Sequence, residues 1–388
     1  MSLTRRDLVR RAALGAAAAS VVGPAPLLRS AAAATPSLKS LAQRSGRYYG
    51  TCASLGTLLT DDRYRTLVRE QCDVLTPENE FKWAPLRPLP GGRLPKELTF
   101  DFTRTDRIVQ LAEDDGLAVR GNCFTWANSN PWWFAREEFF NPGNALALLE
   151  EHIGTVVGRY KGRVRSWDVV NEATNGAGYY PTPWAKALGP RYIDNAFTIA
   201  HRADPSAQLV LNEYNLEYTN RYSRDRQKVF VRVLDDVLSR DIPVHAVGVQ
   251  GHLEHAAIRD QFDPKQHRAF LRTIASMGLK IVVTELDVID LNLPYDRAVR
   301  DRGVAATYQR YLDTVLSEPA VEGVISWGLS DAHSWMNETE QDRFARPEKD
   351  ETGVRSEPQR PLLYDADYRP KAAHAAAVRA FSRAPRRR

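Results

Sequence analysis

From residue 47 onward, short runs dense in apolar and β-branched residues alternate with longer stretches whose apolar positions recur every three or four residues. The short runs are RYYGTCAS (47–54), CDVLTPEN (72–79), LAVRGNCF (117–124), SWDVVNE (166–172), LVLNEY (209–214), VHAVGVQGH (244–252), KIVVTELD (280–287) and GVISWGLS (323–330). Between them, NALALLEEHIGTVVGRY (144–160) and RQKVFVRVLDDVLSR (226–240) have the spacing of amphipathic helices. Asp204-Pro205 and Asp263-Pro264 are punctuation that stops or starts helices. Eight strands alternating with helices, uninterrupted by a linker, predict an α/β fold of one domain, a (β/α)₈ TIM barrel. A doubly wound open sheet is the competing layout. It would normally carry a glycine-rich phosphate turn after an early strand, and none is present. The stretch 337–360 is almost wholly polar and predicts a long loop after the eighth strand, on the rim.

The 388 residues, 43% hydrophobic and 26% charged, suit a globular protein with a substantial core. The two ends differ from the rest. Residues 1–34 pair Arg5-Arg6 with an apolar, alanine-rich run and small residues at Ala31–Ala34, the pattern of a twin-arginine signal peptide. That predicts export of the folded protein and removal of residues 1–34. The alternative is an alanine-rich arm. A barrel is expected over 35–382, and Arg383, Arg386, Arg387 and Arg388 suggest a basic, disordered tail over 383–388. The chain's net +5 places +4 on residues 1–34 and +4 on the tail, which leaves −3 on the body. The charge balance therefore gives no support to a nucleic-acid surface on the body. No cysteine follows the signal to accept a lipid, and no later stretch is apolar enough to span a bilayer, so no membrane anchor is expected. Cys52, Cys72 and Cys123 lack metal spacing and read as buried small apolar residues, with a Cys52–Cys123 contact left open.

Polar side chains at the C-terminal ends of barrel strands collect around the mouth. Those ends offer Asn79 and Lys82 after strand two, Asn122 and Trp126 around strand three, and Asn171-Glu172 on strand four. Strand six adds Gln250 and His252, strand seven Glu285 and Asp287, and strand eight Trp327 with Trp335 beyond it. No nucleophile elbow and no metal-ligand spacing occur, so no cofactor and no metal are expected. Carboxylates, amides, an ammonium group and tryptophans suit a sugar. Cleaving a glycosidic bond takes one carboxyl group to protonate the leaving oxygen and a second to meet the anomeric carbon. Glu172 and Glu285 are the pair, on strands four and seven. Asp287 follows Glu285 by two residues and faces the same way along a strand. His252 on the neighbouring strand is placed to hold Glu285 ionised, as a nucleophile needs, while Glu172 retains its proton as an acid. Singly, each of these segments ends many ordinary strands; their joint placement carries the reading.

On these residues the chain resembles glycoside hydrolase family ten, the xylanase family, over roughly residues 40–380. The resemblance rests on PENEFKW (77–83), RGNCFTW (120–126), WDVVNE (167–172), LNEYNLE (211–217), VGVQGHL (247–253), TELDV (284–288), SWGLSDAHSW (326–335) and PLLYDADYRPKAA (361–373). It implies a retaining endo-β-1,4-xylanase with Glu172 as acid/base, Glu285 as nucleophile and Asn171 on the 2-hydroxyl of the sugar being cleaved. It also implies Gln250 and His252 beside that hydroxyl and the nucleophile. Glu78, Asn79 and Lys82 would hold the glycone side, and Trp126, Trp327 and Trp335 the aromatic cradle. Where the family usually reads RGHTLVWHSQ, this chain reads RGNCFTWANS (120–129), so Asn122, Ala127 and Ser129 replace two histidines and a glutamine in the expected loop after strand three. That departure leaves open a non-xylan β-glycoside as substrate. An inert carbohydrate-binding protein is the alternative from another class, and the intact carboxyl pair argues against it. A poly- or oligosaccharide is the expected partner, and the enzyme is expected to be a monomer.

Overall fold

The first barrel strand is preceded by a helix, Leu38–Arg44, that Ser37 caps by accepting a hydrogen bond from the Ser40 amide. This opening belongs to the computed structural model of the chain, which describes residues 36–89, 99–337 and 358–387. The expected signal segment lies outside the described residues, as does most of the polar stretch 337–360.

Eight parallel strands form the sheet: β1 (Tyr48–Ala53), β2 (Val74–Pro77), β3 (Ala118–Thr125), β4 (Val164–Asn171), β5 (Gln208–Glu213), β6 (Ala246–Val249), β7 (Lys280–Ile289) and β8 (Val321–Ser326). Each pairs with the next, and β1 pairs with β8 from Tyr48↔Gly323 to Thr51↔Ser326, which closes the barrel. The three residues His252–Glu254 form an additional short strand on β7, in register His252↔Asp287. The predicted (β/α)₈ barrel is the observed fold.

Strands buried on both faces carry apolar residues on both, which is why the sequence shows dense runs rather than strict alternation. All positions of β1, β2, β6 and β8 are buried. Tyr48, Val74, Val282 and Ile325, from four strands, form one interior cluster. Around the barrel the helices bury one stripe each. Ala145–Arg159 turns Leu148, Leu149, Ile153, Val156 and Val157 inward, and Arg221–Leu238 does so with Val229, Phe230, Val233, Leu234 and Val237. Asp263 caps Pro264–Ser276 as its dipeptide predicts, and Asp204 ends Tyr192–Ala203. Among the described residues no helix is long and apolar enough to cross a membrane.

Four boundaries depart from the expected ones, each for a local reason. The helix over Arg221–Leu238 begins five residues before the apolar spacing shows, because Asn220 caps a first turn that is polar. β4 stops at Asn171, since Glu172 is left-handed at φ +57°. β6 stops at Val249, because Gly251 turns the chain at φ +78°. The tail does not start loose at 383: Arg383 closes the helix Ala372–Arg383, and the Arg387 amide donates to the Ser45 carbonyl at 3.0 Å. The Arg387 guanidinium donates to Pro319 O at 2.9 Å, so main-chain acceptors beside β1 and β8 hold this segment. Arg388 lies outside the described residues. All three cysteines are buried and unbridged.

Candidate active site

Glu172 owes its position to the end of β4. Its left-handed backbone still donates an amide hydrogen bond to Asn212 O on β5 (2.9 Å), which fixes the turn that lifts its side chain from the strand. Two residues on, the Thr174 amide and hydroxyl both donate to Glu213 Oε2, at 3.0 and 2.8 Å. Glu213 is itself buried and paired with Arg226, at 2.5 Å. The carboxyl of Glu172 accepts a hydrogen bond from Gln250 Nε2 at 3.1 Å. Burial raises its pKa, Trp126 and Gln250 pull it back in part, and the charge of Glu285 adds to the rise.

Glu285 sits within β7, buried, with both oxygens engaged. Oε1 accepts from Asn212 Nδ2 at 2.7 Å, and Oε2 meets His252 Nε2 at 3.2 Å. The other His252 nitrogen meets Asp287 Oδ1 at 2.8 Å, so the ring bridges the two acids of TELD as their shared facing predicts. Asp287 Oδ2 accepts from Trp335 Nε1 at 2.8 Å. Burial works against a charged imidazole, yet Asp287 and Glu285 outweigh it and hold the His252 pKa well above its ordinary value. Burial likewise works against an ionised Glu285, and His252, Arg120 and Asn212 together outweigh it and lower its pKa. The two glutamates are thus pushed in opposite directions. That division suits a proton donor facing an anion.

Amides join the two halves. Asn171 Oδ1 accepts from Asn212 Nδ2 at 2.9 Å and from Gln250 Nε2 at 3.3 Å. With its oxygen engaged twice, Asn171 turns its Nδ2 toward the Glu172 carboxyl, 3.4 Å from Oε1. Asn212 is held in turn by the Thr284 hydroxyl at 2.7 Å, in space that only glycine leaves: a Cβ at Gly248 would stand 2.1 Å from Asn212 Oδ1.

The remaining expected residues ring this centre. Asn79 Oδ1 accepts from Lys82 Nζ at 2.9 Å, and that ammonium stands 5.3 Å from the centre of the Trp126 ring. Glu78 lines a recess shared with Trp327 and Trp335, whose rings lie 6.3 and 5.4 Å from His252.

With that geometry in place, the family model described as Glycosyl hydrolase family 10 matches residues 37–380. The chain belongs to glycosyl hydrolase family 10. The β-1,4-xylanase of Dictyoglomus thermophilum is 32% identical over 355 residues, covering 87% of this chain and 89% of that protein. Endo-1,4-beta-xylanase B of Thermotoga neapolitana is 30% identical over 305 residues, 77% of this chain and 82% of that protein. Among solved structures, native xylanase 10B from Thermotoga maritima superimposes with a TM-score of 0.76 at 30% identity, over 89% of this chain and 98% of that one. Xylanase 10B from Thermotoga petrophila, solved with xylobiose, gives the same TM-score and identity over 89% and 97%.

One expectation about this family 10 chain needs correcting. Asn122 is not in the loop after strand three with Ala127 and Ser129; it lies inside β3, opposite Asp168 of β4, because the strand runs on to Thr125. Its side chain is buried, and Oδ1 has no hydrogen-bond partner among the described residues. The expected residues also omit Asn212, which touches both Asn171 and Glu285. Its signal was present, since it stands next to the end of strand five.

Proposed function

We propose that this family 10 chain is a retaining endo-1,4-β-xylanase in which Glu172 is the acid/base and Glu285 the nucleophile. The observation that carries the proposal is the double grip on Glu285 by Asn212 and His252, opposite a Glu172 whose pKa is raised by burial. An anion with both oxygens oriented is prepared to attack the anomeric carbon, and a protonated Glu172 assists departure of the leaving oxygen. Glu285 then carries the sugar as an ester; water attacks the anomeric carbon as the bond to Glu285 breaks, and Glu172, now a carboxylate, takes the proton of that water. Asn171, its oxygen already occupied, offers an N–H to the 2-hydroxyl of the sugar being cleaved. Glu78, Asn79, Lys82, Trp126, Trp327 and Trp335 would bind sugars around that centre. That the relatives are xylanases supports xylan as substrate.

The opposite pKa shifts set the pH dependence. Activity toward xylan and xylo-oligosaccharides rises as pH climbs through the lowered pKa of Glu285 and falls as it climbs through the raised pKa of Glu172. A bell-shaped kcat/KM profile is the expected outcome. Absence of xylan hydrolysis, or a rate that keeps rising into the alkaline range, would count against the assignment.

Residues 1–34 are proposed to direct export through a twin-arginine route, on the strength of Arg5-Arg6 and the apolar run that follows. Replacing both arginines by lysine should leave the unprocessed chain in the cytoplasm. Undiminished appearance of processed enzyme outside the cell would contradict that route.

A further inference from the structure

The end of β6 holds both carboxyl groups through one short segment. Gln250 reaches Glu172 at 3.1 Å, and two residues later His252 reaches Glu285 at 3.2 Å. Between them Gly251 is left-handed, at φ +78°, and a Cβ there would stand 3.1 Å from Val283 Cγ1. Neighbouring groups tie this turn down. The Gln250 amide donates to Glu213 O at 3.0 Å, and the Gln250 carbonyl accepts from the Glu285 amide at 2.7 Å. The Gly251 carbonyl accepts from the Asp287 amide at 3.3 Å. The Gly251 amide donates to a side chain, Glu217 Oε1, at 3.0 Å.

Glu217 lies in the segment after β5 and is 1% exposed. Its second oxygen has no hydrogen-bond partner among the described residues. A buried carboxyl that leaves one oxygen unmatched is costly for stability alone. Burial pushes its pKa up to about 7, against hydrogen bonds from backbone amides that include Gly251. What the side chain does supply is a fixed acceptor for the peptide that sets the directions of Gln250 and His252 together. Support of this kind keeps reacting groups within the small tolerances that catalysis requires.

We propose that Glu217 is a positioning residue: through the Gly251 amide it orients Gln250 and His252 as a unit and so sets the relation between Glu172 and Glu285. The inference rests on the proposed roles of those two glutamates. Three variants test it on aryl β-xylobiosides. Glu217→Gln keeps an oxygen that accepts from Gly251, so it should retain most of the wild-type kcat. Glu217→Met, of similar size without that acceptor, should lower kcat by roughly 10- to 100-fold with KM changed little, the size of effect seen when a supporting hydrogen bond is removed. Glu217→Asp, one methylene too short to reach Gly251, should also lower kcat, which decides the matter if the Met variant does not fold. A purely structural role would lower thermal stability and leave kcat of the folded fraction intact. Equal kcat in the Gln and Asp variants, or in the Gln and Met variants, would overturn the proposal. Glu285→Ala measured alongside separates the two levels: should it keep activity, the underlying assignment fails instead, whatever the Glu217 variants show.

Discussion

Glu285→Ala abolishes hydrolysis of aryl β-xylobiosides, with kcat/KM falling by roughly 10⁴-fold or more, a loss of about 5.5 kcal/mol in transition-state stabilisation. The size follows from what is removed. Glu285 would form the covalent bond, and its anionic charge would also stabilise the positive anomeric carbon that develops during cleavage. Nothing adjacent substitutes for it, since Asp287 is turned to His252 and Trp335 and Asn212 carries no charge. The deletion would also leave His252 beside a single acid, so its pKa should fall toward the ordinary range. NMR titration of the His252 ring in the folded variant measures that fall. Wild type and Glu285→Ala equally inert across a panel of aryl glycosides would instead favour a carbohydrate-binding protein.

Glu172→Ala gives a different signature, because an acid/base acts on both chemical steps. For substrates with poor leaving groups such as xylan, loss of protonation lowers the rate by roughly 10²- to 10⁴-fold. For a dinitrophenyl glycoside the departing phenolate needs little help, so the first step stays fast and the glycosyl-enzyme accumulates. Azide restores turnover there: it attacks the anomeric carbon without surrendering a proton, the bond to Glu285 breaks, and a β-glycosyl azide leaves. The alkaline limb of the pH profile should vanish in the same variant, since that limb is the titration of Glu172. Stopped-flow release of dinitrophenol, with and without azide, reports the burst and its rescue. A variant equally impaired on good and poor leaving groups would remove Glu172 from the role of acid.

The barrel was legible because parallel strands buried on both faces are dense apolar runs, and eight of them alternate with helical spacing. The site was legible for a related reason: SWDVVNE and KIVVTELD end in acids at the barrel mouth, and the alternation of a strand sets Glu285 and Asp287 on one face, where His252 joins them. What escaped were features without a composition of their own. The left-handed backbone at Glu172 depends on its amide finding Asn212 O, a contact between distant residues. Glu217 looks like an ordinary polar residue in LNEYNLE, and only its contact with the turn after β6 shows that it reaches the centre. The tail over 383–388 reads as loose because the acceptors of Arg387 are not local: Pro319 O and Gly46 O lie 68 and 341 positions away in the chain.

The central claim is that Glu285 becomes covalently bound to sugar during the reaction. A dinitrophenyl 2-deoxy-2-fluoro-β-xylobioside tests it directly, because fluorine slows both steps while the good leaving group restores the first. Mass spectrometry of the inactivated enzyme, followed by peptide mapping, should show one fluoro-xylobiosyl group on the peptide that contains Glu285. A label on any other residue, or an unlabelled enzyme whose natural products emerge with inverted anomeric configuration, would contradict the account.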